Sequence, residues 1–551
     1  MPGWIPRWTR PPRWNRLPRW GKILYALAVV AGLVAAFVYG LPALQKPDSC
    51  HDGIERIGAE CIGVDDTGYD FGTPEISAVA KAIAEENKRI ANQPHVTVAM
   101  MLPLQSDTAG LRRQMRSDLQ GAYLGQRQAN SGEGQVPKIR LVLANPGLNY
   151  GHQDNVVSTL LDMAASDKDR LRAVTGFNLT LDTTEEAVDR LTENGVPVLA
   201  SRISGDGIAN VDGKKQRFPG LARIIPTNGN AAQALANFNG ERGRQDARTV
   251  LVYDARPDAY DESLASAFRG IEETGPAGPA DMSFESPGID KAGSTGSQFE
   301  QIANNICGSA ADTVYFAGRT LHLRIFALTL ARQTCANRHF TLVSGSDAAS
   351  LRQAMSEQDW AQLRGEDGAA KVTVQYAAPA HPAAWDTELA AWTKRWKATH
   401  HREPTANELP QYLTEPKAAL DGLSDLIRST SKAGTDLGSA PNLEDSRTML
   451  VYDGLVTIGT ALHEVQGNDA EQAPGLADVR QEWSKLQSVH RVRGTSGLIC
   501  LTSGGNPYDK PVAVVELNPG QGVRGTLKFV GLGWPTGKEQ PKNCVIPSST
   551  S

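Results

Sequence analysis

From His95 onward, short apolar runs alternate with stretches in which apolar residues recur every three or four positions. That alternation predicts strands and helices taking turns around parallel sheets. The first series predicts strands over 96–102, 139–143, 171–174 and 196–200, with helices over 154–165 and 184–193. Between the first two strands, Leu111, Met115, Leu119, Ala122 and Tyr123 fall on one face of a helix. A second series follows Arg223-Ile224-Ile225-Pro226 and predicts strands over 249–253, 313–316, 341–343 and 372–376. Helices are expected around 263–272, 298–306 and 321–333. Two α/β units in tandem result. After Ala377-Ala378-Pro379 the helical segments that carry Trp385, Trp392 and Trp396 return the chain to the first unit, and 429–447 reads as a surface loop. Upstream, 74–93 predicts an amphipathic helix.

The first 47 residues follow a different pattern. Residues 23–41 carry no charge and, at about 1.5 Å per residue, are long enough to cross a ~30 Å hydrocarbon core. Arg7, Arg10, Arg13, Arg16, Arg19 and Lys22 precede them, which places the N-terminus in the cytosol and everything after Pro42 outside. Trp4, Trp8, Trp14 and Trp20 are interleaved with these cations. The segment is expected to stay as a signal anchor, because it is longer than an ordinary signal-peptide core. The cleaved alternative has Val38-Tyr39-Gly40 as its exit. Cys50 lacks the small-residue approach that lipidation needs.

Charge separates the two parts further. Residues 1–47 hold no acidic side chain, which leaves 49 basic against 61 acidic residues in the remainder. Such a body does not fit a nucleic-acid partner, since phosphate recognition needs clustered positive charge. Cys50, Cys61, Cys307, Cys335, Cys500 and Cys544 all fall beyond the anchor, where an even count reads as disulfides. Sequence proximity favours Cys50–Cys61, Cys307–Cys335 and Cys500–Cys544, although fifteen connectivities are formally open. No C-x-x-C occurs and the histidines lack metal-ligand spacing, so neither a metal nor a cofactor is expected. G-x-S-x-G, H-E-x-x-H and P-loop motifs are absent, and the chain reads as a non-enzyme.

Several segments, taken in order, resemble the type I periplasmic solute-binding family, in its branched-chain amino acid ABC-transporter branch. They are Ala173-Val174-Thr175-Gly176 through Thr183-Thr184-Glu185-Glu186-Ala187, then Pro197-Val198-Leu199-Ala200-Ser201, then 223–227. They continue with Val252-Tyr253-Asp254 and Tyr260, the run from Asp312 to Gly318, Tyr452-Asp453-Gly454, and the stretch from Cys500 to Pro507 with Lys510. The resemblance covers about 95–535 and implies two doubly wound parallel sheets in two lobes, joined by crossings near Pro226, Pro379 and Gly494. The organisation expected is a cytosolic tail (1–21), the membrane helix (22–42) and a Cys-containing extension (43–94). Lobe I would take 95–226 and 379–494, lobe II 227–378 and 495–540, and 541–551 would form a tail.

Independently of any family, doubly wound sheets bind ligands beyond the carboxyl ends of their strands. Thr183 to Glu186 has the form of a capping box, with Thr183 as N-cap. In the resembling family this loop and the one after Ala200 hold a carboxylate, which makes Thr183, Thr184, Ser201 and Ser204 candidates. From the other lobe, Arg319 stands where that family often has an aromatic residue, and Asp347 is the nearest acid after the 341–343 strand. Tyr260 is a candidate cleft wall, and Arg202 with Arg319 would favour an anionic ligand if both faced the cleft. The expected function is capture of a small polar, amino-acid-like or small anionic solute outside the membrane, with an ABC-type permease as partner and the bilayer contacted through the N-terminal helix. The alternative is a receptor-like or cell-envelope interaction module with the same fold and no transport role.

Overall fold

The computed structural model describes residues 18, 20 and 49–547, apart from 133–134, 244–246, 273–277, 334, 336–337, 366–369, 467–472 and 519–525. The expected membrane helix at 22–42 lies outside the described residues, and no helix among those described is long and apolar enough to cross a membrane.

Along the chain come strands β1 (Ser49–His51), β2 (Ile54–Ile57) and β3 (Glu60–Asp65), helix α1 (Ser77–Ile90), strand β4 (His95–Met101) and helix α2 (Ala109–Asn130). Then follow β5 (Lys138–Asn145), α3 (Gln153–Ala165), β6 (Leu171–Gly176), α4 (Asp182–Glu193), β7 (Val198–Ala200) and β8 (Leu221–Arg223). The second unit holds α5 (Asn228–Glu241), β9 (Thr249–Asp254), α6 (Ala259–Glu272), β10 (Met282–Phe284), α7 (Thr295–Gly308), β11 (Thr313–Ala317), α8 (Thr320–Arg332), β12 (His339–Ser344) and β13 (Lys371–Ala378). The return consists of α9 (Ala384–His400), α10 (Gln411–Lys432), α11 (Arg447–Gln466), β14 (Val492–Gly494) and β15 (Gly497–Ile499), before β16 (Val512–Asn518) and β17 (Thr526–Gly533).

These strands build two sheets, ordered β1-β2-β3-β5-β4-β6-β7-β8 and β10-β9-β11-β12-β13-β16-β17. Strands β4 to β8 are parallel to one another, as are β9 to β13. Both faces of each sheet are covered, which is why the strands read as continuous apolar runs. Val96, Val98 and Met100 of β4 face one core with Leu119 and Ile458, while Ala99 and Met101 face the other with Val156 and Val188. In the second sheet, Phe284, Phe299, Phe316 and Phe326 stack on one another against one face.

Helices α2 and α11 pack closely through small residues. A Cβ at Gly121 would stand 2.5 Å from the Thr448 carbonyl oxygen, and one at Gly125 would stand 2.6 Å from Leu455 Cβ. Only glycine permits this separation.

The sequence treats 43–94 as a linker with one helix, yet β1, β2 and β3 extend the first sheet, with Gly63, Val64 and Asp65 antiparallel to Asn145, Ala144 and Leu143. Polar β-residues such as Glu55, Arg56 and Glu60 conceal these strands from a reading based on apolar runs. Because β3 covers only the end of β5, the rest of that edge is closed by side-chain amides. Asn87 Nδ2 donates to the Leu141 carbonyl at 2.7 Å, and its Oδ1 accepts from Leu141 N at 2.9 Å. Asn130 does the same for Ile139, at 3.1 and 2.8 Å. Asn87→Leu is expected to cost roughly 2–6 kcal/mol, because two buried backbone groups lose their partners at about 1–3 kcal/mol each. Urea unfolding checks this, and a loss below about 0.5 kcal/mol would show that Gln126 or water takes over.

The three disulfides join Cys50 with Cys61, Cys307 with Cys335, and Cys500 with Cys544, as sequence proximity favours. The chain passes from the first sheet to the second after Arg223 and leaves it again after Ala378. The third passage differs from expectation. Gly494 pairs with Gly497 inside the β14–β15 ribbon, Arg223 N still donates to Gly505 O at 2.9 Å, and the chain enters the second sheet only at Val512.

Candidate functional site

The carboxyl ends of the parallel strands carry loops that meet between the lobes, and polar side chains bridge the seam. Arg319, the residue before α8, is 4% exposed. Its Nη2 donates to Asp258 Oδ1 at 2.7 Å and, across the seam, to the Thr180 carbonyl at 2.7 Å. Nε reaches Asp258 Oδ2 at 3.2 Å and Nη1 reaches Asp347 Oδ2 at 3.3 Å, while the guanidinium lies 4.6 Å from the Tyr260 ring centroid. Tyr260 Oη accepts from the Asp347 backbone N at 3.2 Å. The structure therefore brings Tyr260, Arg319 and Asp347 together, but Arg319 is fully engaged by the protein.

Of the carboxylates around Arg319, the sequence singles out Asp347 but neither Asp258 nor Asp261. Asp254, Asp258 and Asp261 sit where β9 gives way to α6, at spacings of four and three that turn them toward one point. Asp258 caps α6 by accepting from Tyr260 N and Asp261 N, and it also takes Arg256 Nη2 at 2.8 Å. Burial works against its charge, but Arg319 and Arg256 hold its carboxyl below the usual range. Asp261 is fully buried, neither carboxyl oxygen accepts a hydrogen bond among the described residues, and burial pushes its pKa well up. Its nearest cations are Arg256 at 3.7 Å and Arg319 at 4.0 Å.

On the first lobe Arg202 does not stand free in the cleft. Asp118, 1% exposed, accepts from Arg202 at 3.3 Å and from Arg447 at 3.1 Å. Ser204 meets Ser346 across the seam at 3.5 Å. Thr183, Thr184 and Ser201 serve other contacts. Helix α4 starts at Asp182 with Leu181 as its N-cap, so the expected Thr183–Glu186 capping box does not form. Thr183 Oγ1 instead donates to the Asn149 carbonyl at 2.7 Å, because that loop packs against it. Thr184 is buried with its hydroxyl unpaired, and its N–H is taken by the Leu181 carbonyl. Ser201 lies between Thr175 Oγ1, 3.4 Å away, and Gly454, where a Cβ would stand 2.3 Å from the serine Oγ.

Further along the seam the lobes enclose a cavity of about 610 Å3. Arg113, Glu444 and Asp445 bound it from lobe I, and Arg352, Gln353 and Trp360 from lobe II. None of the seven residues expected from sequence lines it. Arg352 pairs with Glu444 across the seam, Gln353 Nε2 donates to Asp445 Oδ2 at 3.4 Å, and Arg447 lies 3.4 Å from Ser350 Oγ. Among the described residues no group of three or more His, Cys, Asp or Glu side chains is placed to hold a metal ion. The arrangement is a polar seam with a solvent-sized hollow at one end.

No protein-family model and no curated protein matches the chain. Solved structures do. An ABC-transporter substrate-binding protein of Aeropyrum pernix is 13% identical at a TM-score of 0.52, the match covering 83% of this chain and 97% of that one. The branched-chain amino acid transporter substrate-binding protein of Streptococcus pneumoniae, solved with isoleucine, is 14% identical at 0.50, covering 79% and 99%. A solute-binding protein of R. palustris, solved with 4-hydroxybenzoate, is 14% identical at 0.50, covering 80% and 96%. At such identities the likeness establishes architecture, and the chain has the two-lobed fold of the type I periplasmic solute-binding proteins of branched-chain amino acid ABC transporters.

Proposed function

We propose that this chain is an extracytoplasmic solute-binding protein, tethered by residues 22–42, whose lobes part to admit a small polar molecule and close to deliver it to an ABC-type permease. The observation that carries this reading is the seam. The cross-lobe contacts Arg319–Thr180, Ser204–Ser346, Gln353–Asp445 and Arg352–Glu444 are hydrogen bonds or ion pairs, which water can replace when the lobes separate. Fold neighbours that hold isoleucine or 4-hydroxybenzoate support a small organic solute as the class to test.

A second reading has its own support. Arg319 already fills the deep part of the cleft and leaves its donors satisfied, as a receptor-like or cell-envelope interaction module without transport would allow. Thermal-shift screening of the full chain in detergent against amino acids, aromatic acids and sugars separates the two. A solute at a hundred times its Kd is expected to add about 2.7 kcal/mol to stability. A panel with no hit, together with a scattering profile that no solute changes, would favour the interaction module.

A further inference from the structure

We propose that the solute seat is the 610 Å3 cavity beside Arg352 and Glu444, and that it selects a small organic amine with an apolar body. This rests on the solute-binding reading and moves the seat away from the loops around Arg319, where the protein's own groups occupy the space. The inner wall of the cavity presents acceptors that are unfilled or only partly filled. Gln353 Oε1 is buried and accepts no hydrogen bond among the described residues. Asp445 is 6% exposed, and it takes only the Arg447 backbone N–H at 3.1 Å and the long contact from Gln353. The Arg447 guanidinium turns away from it, toward Asp118, Gln114 and Ser350. Arg352 is committed to Glu444. Behind the lining, the Tyr376 hydroxyl is buried with no hydrogen-bond partner among the described residues, and it feels the charges of Arg352, Glu444 and Asp445.

A buried carboxylate that lacks a cation attracts one. Burial pushes the Asp445 carboxyl up, and a cation beside it favours the charged form, as Arg447 already does in part. An ammonium group seated between Asp445 and Gln353 Oε1 would supply both missing donors. Ala349, Met355, Trp360 and Leu527 complete the lining and offer a hydrocarbon surface for the rest of the molecule. Arg113 lies at the rim, exposed and with no ion-pair partner among the described residues. It would accept a carboxylate beside the amine without the seat requiring one.

The test titrates the full chain in detergent with isoamylamine, isovalerate and leucine by calorimetry. Isoamylamine is expected to bind and isovalerate not to bind. Asp445→Asn should weaken the amine roughly ten- to a hundredfold, the usual consequence of losing a charge-assisted partner. Met355→Trp, which fills the hollow without touching a polar group, should weaken it by at least about tenfold, so the proposal stays testable if Asp445→Asn fails to fold. Asp347→Ala should leave affinity within about twofold. Binding of isovalerate or leucine without the amine overturns the amine class and leaves the solute-binding reading standing. Amine binding that Asp347→Ala abolishes and Met355→Trp spares returns the seat to the Arg319 loops. Silence from all three probes overturns the amine seat, and the broader solute panel then decides whether the lobes bind anything.

Discussion

Arg319→Ala is expected to destabilise the protein by about 3–5 kcal/mol and to loosen the contact between its lobes. Removing one partner of a buried ion pair costs this much because the other charge stays behind without compensation. Here Asp258 would lose its two contacts with the guanidinium, at 2.7 and 3.2 Å, and Asp261 one of its two nearby cations. Arg256 keeps Asp258 from being wholly unpaired, which favours the lower part of that range. Thr180 would lose its cross-seam donor at the same time. Guanidinium unfolding measures the first effect, and an increased radius of gyration in scattering measures the second. Arg319→Lys should recover only part of either, since an ammonium cannot span Asp258, Asp347 and Thr180 as the planar fork does. A variant within about 1 kcal/mol of the parent would mean that the Asp258–Asp261 pair shares a proton and needs no counter-charge.

Asp453→Ala is the second large effect, again about 3–5 kcal/mol. Asp453 is fully buried on α11 and accepts from Thr495 N, Thr495 Oγ1, Ser496 N and Ser496 Oγ, at 2.7, 2.9, 2.8 and 2.5 Å. Lys510, also buried, donates to Ser496 Oγ at 3.0 Å and to the Gly497 carbonyl at 2.9 Å. Burial lowers the Lys510 pKa from 10.5 to about 8, and the charge of Asp453 keeps it from falling further. Without Asp453 the folded pKa drops again. The folded chain then binds fewer protons than the unfolded chain from that lower value up to about 10.5, so stability rises with pH across the window. The slope approaches roughly 1.4 kcal/mol per pH unit at most. The variant should therefore regain stability between pH 7 and 9 faster than the parent does. Melting curves across that range check it, and the double change Asp453→Asn with Lys510→Met should recover part of the loss, because it leaves no lone charge and keeps an acceptor for the donors of Thr495 and Ser496.

Strands β4 to β7, β9 and β11 to β13 are legible in the sequence because both faces of each sheet are buried, so residues such as Val98 to Met101 form unbroken apolar runs, whereas β8 and β10, three residues each, are too short to stand out. Strands β1 to β3 are not, since their stability comes from pairing with an edge rather than from an apolar stripe. Of the site, the meeting of Tyr260, Arg319 and Asp347 follows from loops at the carboxyl ends of one sheet. What the sequence conceals is commitment. Arg319 reads as a free cation until Asp258, 61 positions upstream, closes on it, and Ser201 reads as a ligand until Gly454 is found against its hydroxyl. Long-range pairing of this kind has no local signature.

The way the described chain begins and ends has a mechanical consequence. Ser49 pairs with Glu55 at the edge of the first sheet, and the Cys50–Cys61 bridge joins β1 covalently to β3, whose far end is sewn to β5. Near the other terminus, Cys544 is fastened to Cys500, which directly follows the β14–β15 ribbon. A pull on any tether upstream of Ser49 would thus run in shear along hydrogen-bonded strands into lobe I and bypass the three passages. Under the proposed opening and closing, lobe I would be the stator and lobe II the part left free to swing.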